Sequence, residues 1–192
     1  MPKVVPEYKA QARARIIAAA SRVFRRKGFR SATMEDIAHE LGVSKGALYL
    51  YFRTKAELLV HIQDASREEI IAKWEKLIED GDLAEGIANS LADIFSGDAD
   101  PAIWHELVAE SSSDPEVRAA LVQDHREDAK LMRKFLARLE SRGRIPKMRD
   151  PVALAEVVLT LLQGTALQMM LTGRGVDARR TLVRELRLVL GL

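Results

Sequence analysis

Cysteine is absent from this 192-residue sequence, and aromatic residues make up only 5% of it. Without cysteine the chain can form no disulfide and no cysteine-ligated metal site. This composition fits a reducing compartment, and we expect a cytoplasmic protein. Of its ten aromatic residues, Tyr49, Tyr51 and Phe52 lie within four positions of one another.

Signals for strands, for secretion and for a membrane span are also missing. There is no sustained two-residue alternation and no Asn-Gly or Asp-Gly turn between β-branched runs. The N-terminal residues are charged and contain no apolar run typical of a secretory signal. The longest apolar stretch, residues 157–171, is interrupted by Gln163, Gln168 and two threonines and is shorter than the ~20 residues that a spanning helix needs. We expect no membrane association.

Catalytic motifs are absent too. The sequence contains no GxSxG elbow, no GxxxxGK[ST] phosphate loop and no HExxH pair. Glu106 and Glu110 lie four residues apart beside His105, a spacing that paired metal carboxylates use, but a solvated acidic face has the same spacing. We predict no enzyme activity, no catalytic residue, no metal site and no cofactor.

Charge is distributed unevenly along the chain. Residues 1–60 hold twelve Lys and Arg and five Asp and Glu, a net charge of +7, whereas the remaining residues carry −5. A basic segment of this kind is attracted to a polyanion, and the acidic remainder is repelled by one. The pattern indicates nucleic acid as a partner of the first sixty residues, although charges scattered over a solvated surface would give the same sum.

Apolar residues recur at helical spacing throughout, separated by Gly, Pro and capping residues, so the sequence predicts an all-α protein. We predict a three-helix DNA-binding domain at 1–54 and a larger helical domain for effector binding and dimerisation at 55–192. The predicted helices span 8–27, 34–41, 45–52, 55–80, 83–96, 101–111, 114–142, 151–172 and 177–190.

The second and third helices are short and are joined by a tight turn containing Gly42. Two short helices so connected, after an apolar helix, form a helix-turn-helix whose second short helix can enter the DNA major groove. Leu48 and Phe52 lie four residues apart, so we expect both to pack on the first helix. Tyr49 would then project towards DNA, where its hydroxyl can reach a phosphate.

Residues 33–59, TMEDIAHELGVSKGALYLYFRTKAELL, and the run AAASRVFRRKGFRSAT at 18–33 resemble the DNA-binding signature of the tetracycline-repressor (TetR) family of bacterial transcriptional regulators. The resemblance implies that Thr33 and Ser44 cap their helices and touch phosphates. It also implies that Lys45, Gly46 and Ala47 face the bases, and that Tyr49, Tyr51 and Lys55 hold the DNA backbone.

Leu50 departs from the resemblance, because many relatives carry a polar or aromatic residue there. Leucine cannot hydrogen-bond a base edge, so Leu50 and Ala47 could read only thymine methyl groups. The basic residues Lys3, Lys9 and Arg13, with Arg15, could form an arm along the minor groove, or a solvated, frayed terminus.

The two C-terminal helices, near 151–172 and 177–190, are apolar enough to require burial. The resemblance implies that they pair with a second copy in a four-helix bundle; burial within one chain is the alternative.

A family regulator also binds a small effector, which we expect to be apolar or amphipathic. Its predicted lining residues, which could equally be ordinary core, are Trp74, Phe95, Trp104, His105, Met132, Phe135, Gln163, Gln168 and Met169. We predict a ligand-responsive repressor that binds a palindromic double-stranded DNA operator as a homodimer. The alternative function is an adaptor that binds only proteins.

Overall fold

The computed structural model describes residues 6–96, 101–173 and 175–192. It describes the backbone, but not the side chains, of residues 6–7, 63, 65–66, 68, 92–96 and 101–102. Every regular element in these ranges is an α-helix, so the all-α prediction is confirmed. The helices are α1 (Pro6–Lys27), α2 (Met34–Leu41), α3 (Lys45–Tyr49), α4 (Lys55–Glu79), α5 (Leu83–Ser96), α6 (Pro101–Glu110), α7 (Pro115–Ser141), α8 (Pro151–Thr172) and α9 (Gly175–Leu190).

The predicted helices match these bounds closely, with the largest difference in α3. This helix ends at Tyr49 rather than at Phe52. The amides of both Tyr51 and Phe52 donate to the carbonyl of Leu48, at 3.0 and 3.2 Å. Two donors on one carbonyl close the last turn tightly, and the chain then leaves the helix direction before Thr54 caps α4.

The described chain forms two compact units, and the first is drawn from Met1–Ala65 and Ala102–Val122. Its core contains fully buried side chains from α1, α2 and α3, together with the start of α4 and residues of α6 and α7; examples are Phe24, Ile37, Leu48, Phe52, Leu58 and Leu107. This grouping differs from the predicted division at 54/55, because the first turns of α4 carry apolar residues that complete the core around α3. The functional division into DNA-binding and effector-binding parts stays a prediction.

The second unit is drawn from Ser66–Pro101 and Gln123–Leu192. Helices α5, α8 and α9 contact one another in it. Its buried core includes Ile87, Met132, Leu136, Val158, Leu182 and Leu186. On α9, Leu182, Leu186 and Leu190 are buried and Val189 is half-buried, so these residues form one apolar stripe.

Helix α8 is less buried than its sequence predicts. One face, which includes Val158 and Leu159, is buried, whereas Val157, Leu167 and Leu171 are exposed. Among the described residues, α8 is the one helix that is long enough, at 22 residues, and apolar enough to cross a membrane, and most of its apolar part is not buried. The full helix is therefore longer than the apolar stretch at 157–171, and a single chain leaves much of its apolar surface uncovered.

Candidate nucleic-acid interface

Helix α2 begins at a reciprocal cap between Thr33 and Asp36. The Asp36 amide donates to Thr33 Oγ1 at 3.1 Å, and the Thr33 amide donates to Asp36 Oδ2 at 3.0 Å. Lys27 Nζ donates to the other carboxylate oxygen, Oδ1. The Lys27 hydrogen bond, followed by those from Thr33, lowers the pKa of Asp36 to about 2. The carboxylate thus joins the end of α1 to the start of α2.

The turn between α2 and α3 depends on Gly42. This residue has φ 69° and ψ 30°, a left-handed conformation that costs glycine little, and its amide donates to His39 O at 3.0 Å. Ser44 then caps α3, accepting the Ala47 amide at 3.2 Å. Both caps predicted at Thr33 and Ser44 are present, so the two short helices start where the sequence places them.

One side of α3 is buried and the other faces solvent. Leu48 and Phe52 are fully buried in the first unit, as predicted. On the outer face, which consists of Lys45, Gly46, Tyr49 and Leu50, Tyr49 is 42% exposed and Leu50 is 83% exposed. Ala47 is half-buried. A short helix anchored from behind with an uncovered front can present its side chains to a groove.

Gly46 borders open space on this face. A Cβ built at Gly46 would meet no atom of the protein within 4 Å. The absence of a side chain is therefore not required by packing within the described residues. Beside it, Lys45 Nζ lies 3.7 Å from Glu35 Oε2 in an exposed ion pair, which holds the ammonium only weakly.

The C-terminal end of α3 is held by Arg13, which the sequence places in a basic arm. Arg13 Nη1 donates to the carbonyl of Tyr51 at 3.3 Å, and its guanidinium carbon lies 4.4 Å from the centroid of the Phe52 ring. Arg13, Lys9 and Arg15 all lie within α1, so the arm prediction is wrong for these three, because α1 already begins at Pro6. Lys3 lies outside the described residues.

Tyr51 and Lys55, the predicted backbone contacts after α3, are less free than Tyr49. The Tyr51 ring is half-buried against the core of the first unit. Lys55 Nζ donates to the carbonyls of Phe29 at 2.7 Å and Arg30 at 3.2 Å. Burial lowers the pKa of Lys55, and the nearby carboxylates of Glu110, Glu106 and Asp114 act in the opposite direction.

Two carboxylates that resembled a metal site in the sequence have other partners. Both oxygens of Glu106 accept main-chain amides, Oε2 from Phe29 and Oε1 from Arg30, each at 2.7 Å. Glu110 Oε2 lies 3.7 Å from the Arg30 side chain. No sequence pattern indicates this contact, because Glu106 is separated from its partners by more than seventy residues.

The nine predicted effector residues do not all fall in one compact unit. Trp104 and His105 belong to the first unit, and seven belong to the second. The side chain of Phe95 lies outside the described residues. Gln163 is half-buried and Gln168 is exposed.

Trp74, Met132 and Phe135 contribute to packing in the second unit. Met132 and Phe135 are buried, and Trp74 and Met169 pack against the same core. The Trp74 and Phe135 rings lie 4.8 Å apart, and Trp74 Nε1 donates to Ser90 Oγ at 3.2 Å. In the first unit, His105 differs from these residues: its Nε2 is buried and has no hydrogen-bond partner among the described residues.

Known protein families match both parts of the chain. Residues 16–62 match the family described as bacterial regulatory proteins, tetR family, and residues 82–190 match the C-terminal family of BetI-type transcriptional repressors. The first match includes α2 and α3 in full. Glu106 lies beyond it.

Individual relatives show the same resemblance. An uncharacterized HTH-type transcriptional regulator, YfiR of Bacillus subtilis, is 37% identical over 96 residues, which is 50% of this chain and 47% of YfiR. The HTH-type transcriptional regulator UidR of Escherichia coli K12 is 26% identical over 153 residues, covering 79% of this chain and 78% of UidR.

Solved structures share the fold over nearly the whole chain. Salmonella enterica GusR superimposes with a TM-score of 0.77 at 23% identity, over 100% of both chains. A complex of SmeT with triclosan superimposes with a TM-score of 0.72 at 20% identity, over 94% of this chain and 90% of SmeT.

Proposed function

Because this chain belongs to the TetR family of bacterial helix-turn-helix transcriptional regulators, we propose that it is a ligand-responsive repressor that binds a palindromic operator as a homodimer. The observation that carries the proposal is the geometry of α3. Leu48 on its inner side and Phe52 just after its end are fully buried, while Tyr49 and the C-cap residue Leu50 are exposed. Side chains on this outer face can reach a groove without disturbing the core.

The proposed DNA contacts divide by chemistry. Lys45, Gly46, Ala47 and Leu50 lie against base edges, where lysine can donate to guanine and the apolar residues can contact thymine methyl groups. Thr33 and Ser44, with Tyr49 and Tyr51, bind the phosphate backbone and set the register.

Lys55 joins the phosphate contacts with its remaining donor. An ammonium group has three N–H donors, and two of them are directed at the Phe29 and Arg30 carbonyls. The third is available to a phosphate at the N-terminus of α4, where the unpaired helix amides also favour an anion. We therefore expect Lys55 to support both the loop and the DNA.

A homodimer is proposed because one short recognition helix reads only a few base pairs, and two copies double the number of base pairs that are read. The exposed residues of α8 at 153, 157, 160, 164, 167 and 171 recur every three or four positions, and none is charged. This uncharged stripe supports pairing of α8 and α9 with their copies in a four-helix bundle. A chain of this kind acts on DNA in the cytoplasm, without catalysis.

The proposed effector is a small apolar or amphipathic molecule that releases the DNA. SmeT, which has the same fold, binds triclosan, an example of such a ligand class. His105 supports a polar contact to the effector, because a buried imidazole nitrogen without a partner is costly unless a ligand supplies one. Trp104, in the same unit, has its ring 5.0 Å from that of His105 and would supply aromatic surface beside it.

Selection of bound sequences from a random duplex pool at about physiological salt tests the DNA-binding proposal, because non-specific binding is weak there. We expect a palindrome whose half-sites are separated by about one helical turn or a multiple of it. Candidate effectors are then screened by release of that duplex. A folded dimer that enriches no sequence, with or without candidate effectors, would contradict the proposal.

A further inference from the structure

We propose that Glu106 is a positioning residue for DNA binding: from α6, outside the helix-turn-helix segment, its carboxylate fixes the α1–α2 loop on which the orientation of α2 and α3 depends. The inference rests on the proposed DNA-binding function. It assigns to a residue of α6 a role in recognition that is independent of contact with DNA.

The first argument is the geometry of the carboxylate. Its two oxygens accept the successive amides of Phe29 and Arg30, each at 2.7 Å. Successive amides that point the same way form an anion-binding nest, and hydrogen bonds from amides to an ionised carboxylate are stronger than those between neutral groups. Glu106 therefore holds two neighbouring peptide groups at once.

Lys55 holds the same two residues through their other polar atoms. Its ammonium accepts no hydrogen bond and donates to the carbonyls of Phe29 and Arg30, and it also lies 4.6 Å from the centroid of the Phe29 ring. The N–H and C=O groups of both loop residues are thus bound by two side chains of opposite charge. We call this arrangement the loop clamp.

The loop sequence is adapted to the clamp at Gly28. This residue has φ +76°, and a Cβ at that position would lie 2.9 Å from Glu106 Oε2. A residue with a side chain would be strained in this backbone conformation, and its Cβ would have to displace the flexible end of the Glu106 side chain. The positive φ therefore favours glycine beside the clamp.

The clamp lies between the elements that position the recognition helix. Phe29 and Ala32 are buried in the first unit, and the Phe29 ring packs on Phe24 of α1 at 5.1 Å. The next residue, Thr33, caps α2, which is joined to α3 by the tight turn at Gly42. A loop that is fixed at Phe29 and Arg30 therefore fixes the start of α2, and displacement of the loop would change how α3 is presented.

Two matched substitutions on α6 test the role. Glu106→Gln and Glu110→Gln each remove one negative charge from the same helix, one turn apart. Glutamine at 106 retains a single acceptor oxygen and places an NH₂ group against an amide donor. Electrostatics alone predicts that both substitutions strengthen DNA binding, because both make the DNA-binding unit more positive.

Binding is measured by titration with two labelled duplexes, the palindrome recovered by selection and a random-sequence duplex. We expect Glu110→Gln to bind the palindrome as tightly as the wild type or more tightly, and Glu106→Gln to bind it on the order of tenfold more weakly, the loss that follows from about 1.4 kcal/mol. Equal or tighter binding of the palindrome by Glu106→Gln would overturn the proposal.

Amide hydrogen exchange of residues 28–33 separates the clamp from a general loss of stability. In Glu106→Gln we expect faster exchange at Phe29 and Arg30, with the cooperative thermal transition retained. Unchanged exchange there would contradict the clamp regardless of the DNA result. Failure of the wild type to bind either duplex would instead remove the proposed function, and the role of Glu106 with it.

Glu106→Asp is the second variant, for use if Glu106→Gln does not fold. It keeps the charge but shortens the side chain by one methylene group. The loop clamp predicts weaker binding of the palindrome than in the wild type, because the carboxylate no longer reaches both amides. Wild-type affinity in this variant would show that position 106 acts through charge alone and would overturn the proposal.

Discussion

Arg13 Nη2 lies 2.8 Å from His61 Nε2, and this pair joins α1 to α4 behind the end of α3. Arginine can only donate, so His61 Nε2 must be the acceptor and the imidazole carries its proton on Nδ1. The same guanidinium also binds Tyr51 O and lies on the Phe52 ring. One cation of α1 therefore contacts both the segment that follows α3 and the first half of α4.

Replacing Arg13 tests this arrangement. Arg13→Met keeps the aliphatic chain but loses the ring contact and two hydrogen bonds, so we expect the free energy of unfolding to fall by about 1–3 kcal/mol. Arg15→Met, at an exposed position of the same helix, is the control and should change it little. Urea unfolding measures both, and equal effects in the two variants would refute a special role for Arg13.

Gly46→Ala should separate stability from DNA binding. Because a Cβ there meets no protein atom within 4 Å, alanine should leave the free energy of unfolding unchanged or raise it by up to about 1 kcal/mol. Close approach of α3 to a base pair would then be blocked, and we expect weaker binding of the selected palindrome. Thermal unfolding and DNA titration test the two halves; undiminished affinity would argue against close approach at Gly46.

Lys45→Ala is expected to relax the discrimination between variants of the palindrome, because a base-edge contact carries sequence information. Tyr49→Phe is the matched control on the same face. Loss of its hydroxyl should weaken binding to every duplex by a similar factor, as removal of a phosphate contact does. Titrations against a set of single-base variants measure both. A uniform loss in Lys45→Ala would place Lys45 on the backbone instead.

Asp36 should make the start of α2 sensitive to acid. Its pKa is lowered from 3.8 to about 2 in the folded chain, so its contribution to stability is fully present above the unfolded value and is lost as the pH falls through about 2. Asp36→Asn lacks this contribution at every pH. Urea unfolding from pH 7 to pH 2 measures the free energy of unfolding of the wild type and of Asp36→Asn. The difference between the two should narrow below about pH 4; a difference that widens on acidification would contradict the stabilising role of the Asp36 carboxylate.

The uncharged stripe on α8 predicts the effect of one charge on the oligomeric state. Val157 is 43% exposed, and glutamate there would place an unpaired charge in the proposed dimer interface. We expect Val157→Glu to be monomeric by light scattering. Val122→Glu, at a valine of α7 that is 45% exposed, should remain dimeric. A dimeric Val157→Glu would remove α8 from the proposed interface.

Local chemistry made much of this protein predictable. Thr33 and Ser44 are helix caps in the sequence and in the structure, because capping needs only a side-chain oxygen and the amides two or three residues later. The spacing of Leu48 and Phe52 predicts that both are core residues, and both are fully buried. The predicted end of α3 is wrong by three residues, since the carbonyl of Leu48 takes two donors in a closing turn that no propensity indicates.

The sequence by itself determined the helices, their caps, the register of the helix-turn-helix and the separation of basic and acidic charge, because each depends on residues close together along the chain. Only the tertiary structure decided the partners of Arg13, Lys55 and Glu106, which are long charged side chains with no local preference for one partner. Glu106 meets Phe29 across 77 positions, and that contact exists only because the core of the first unit brings α6 beside the end of α1.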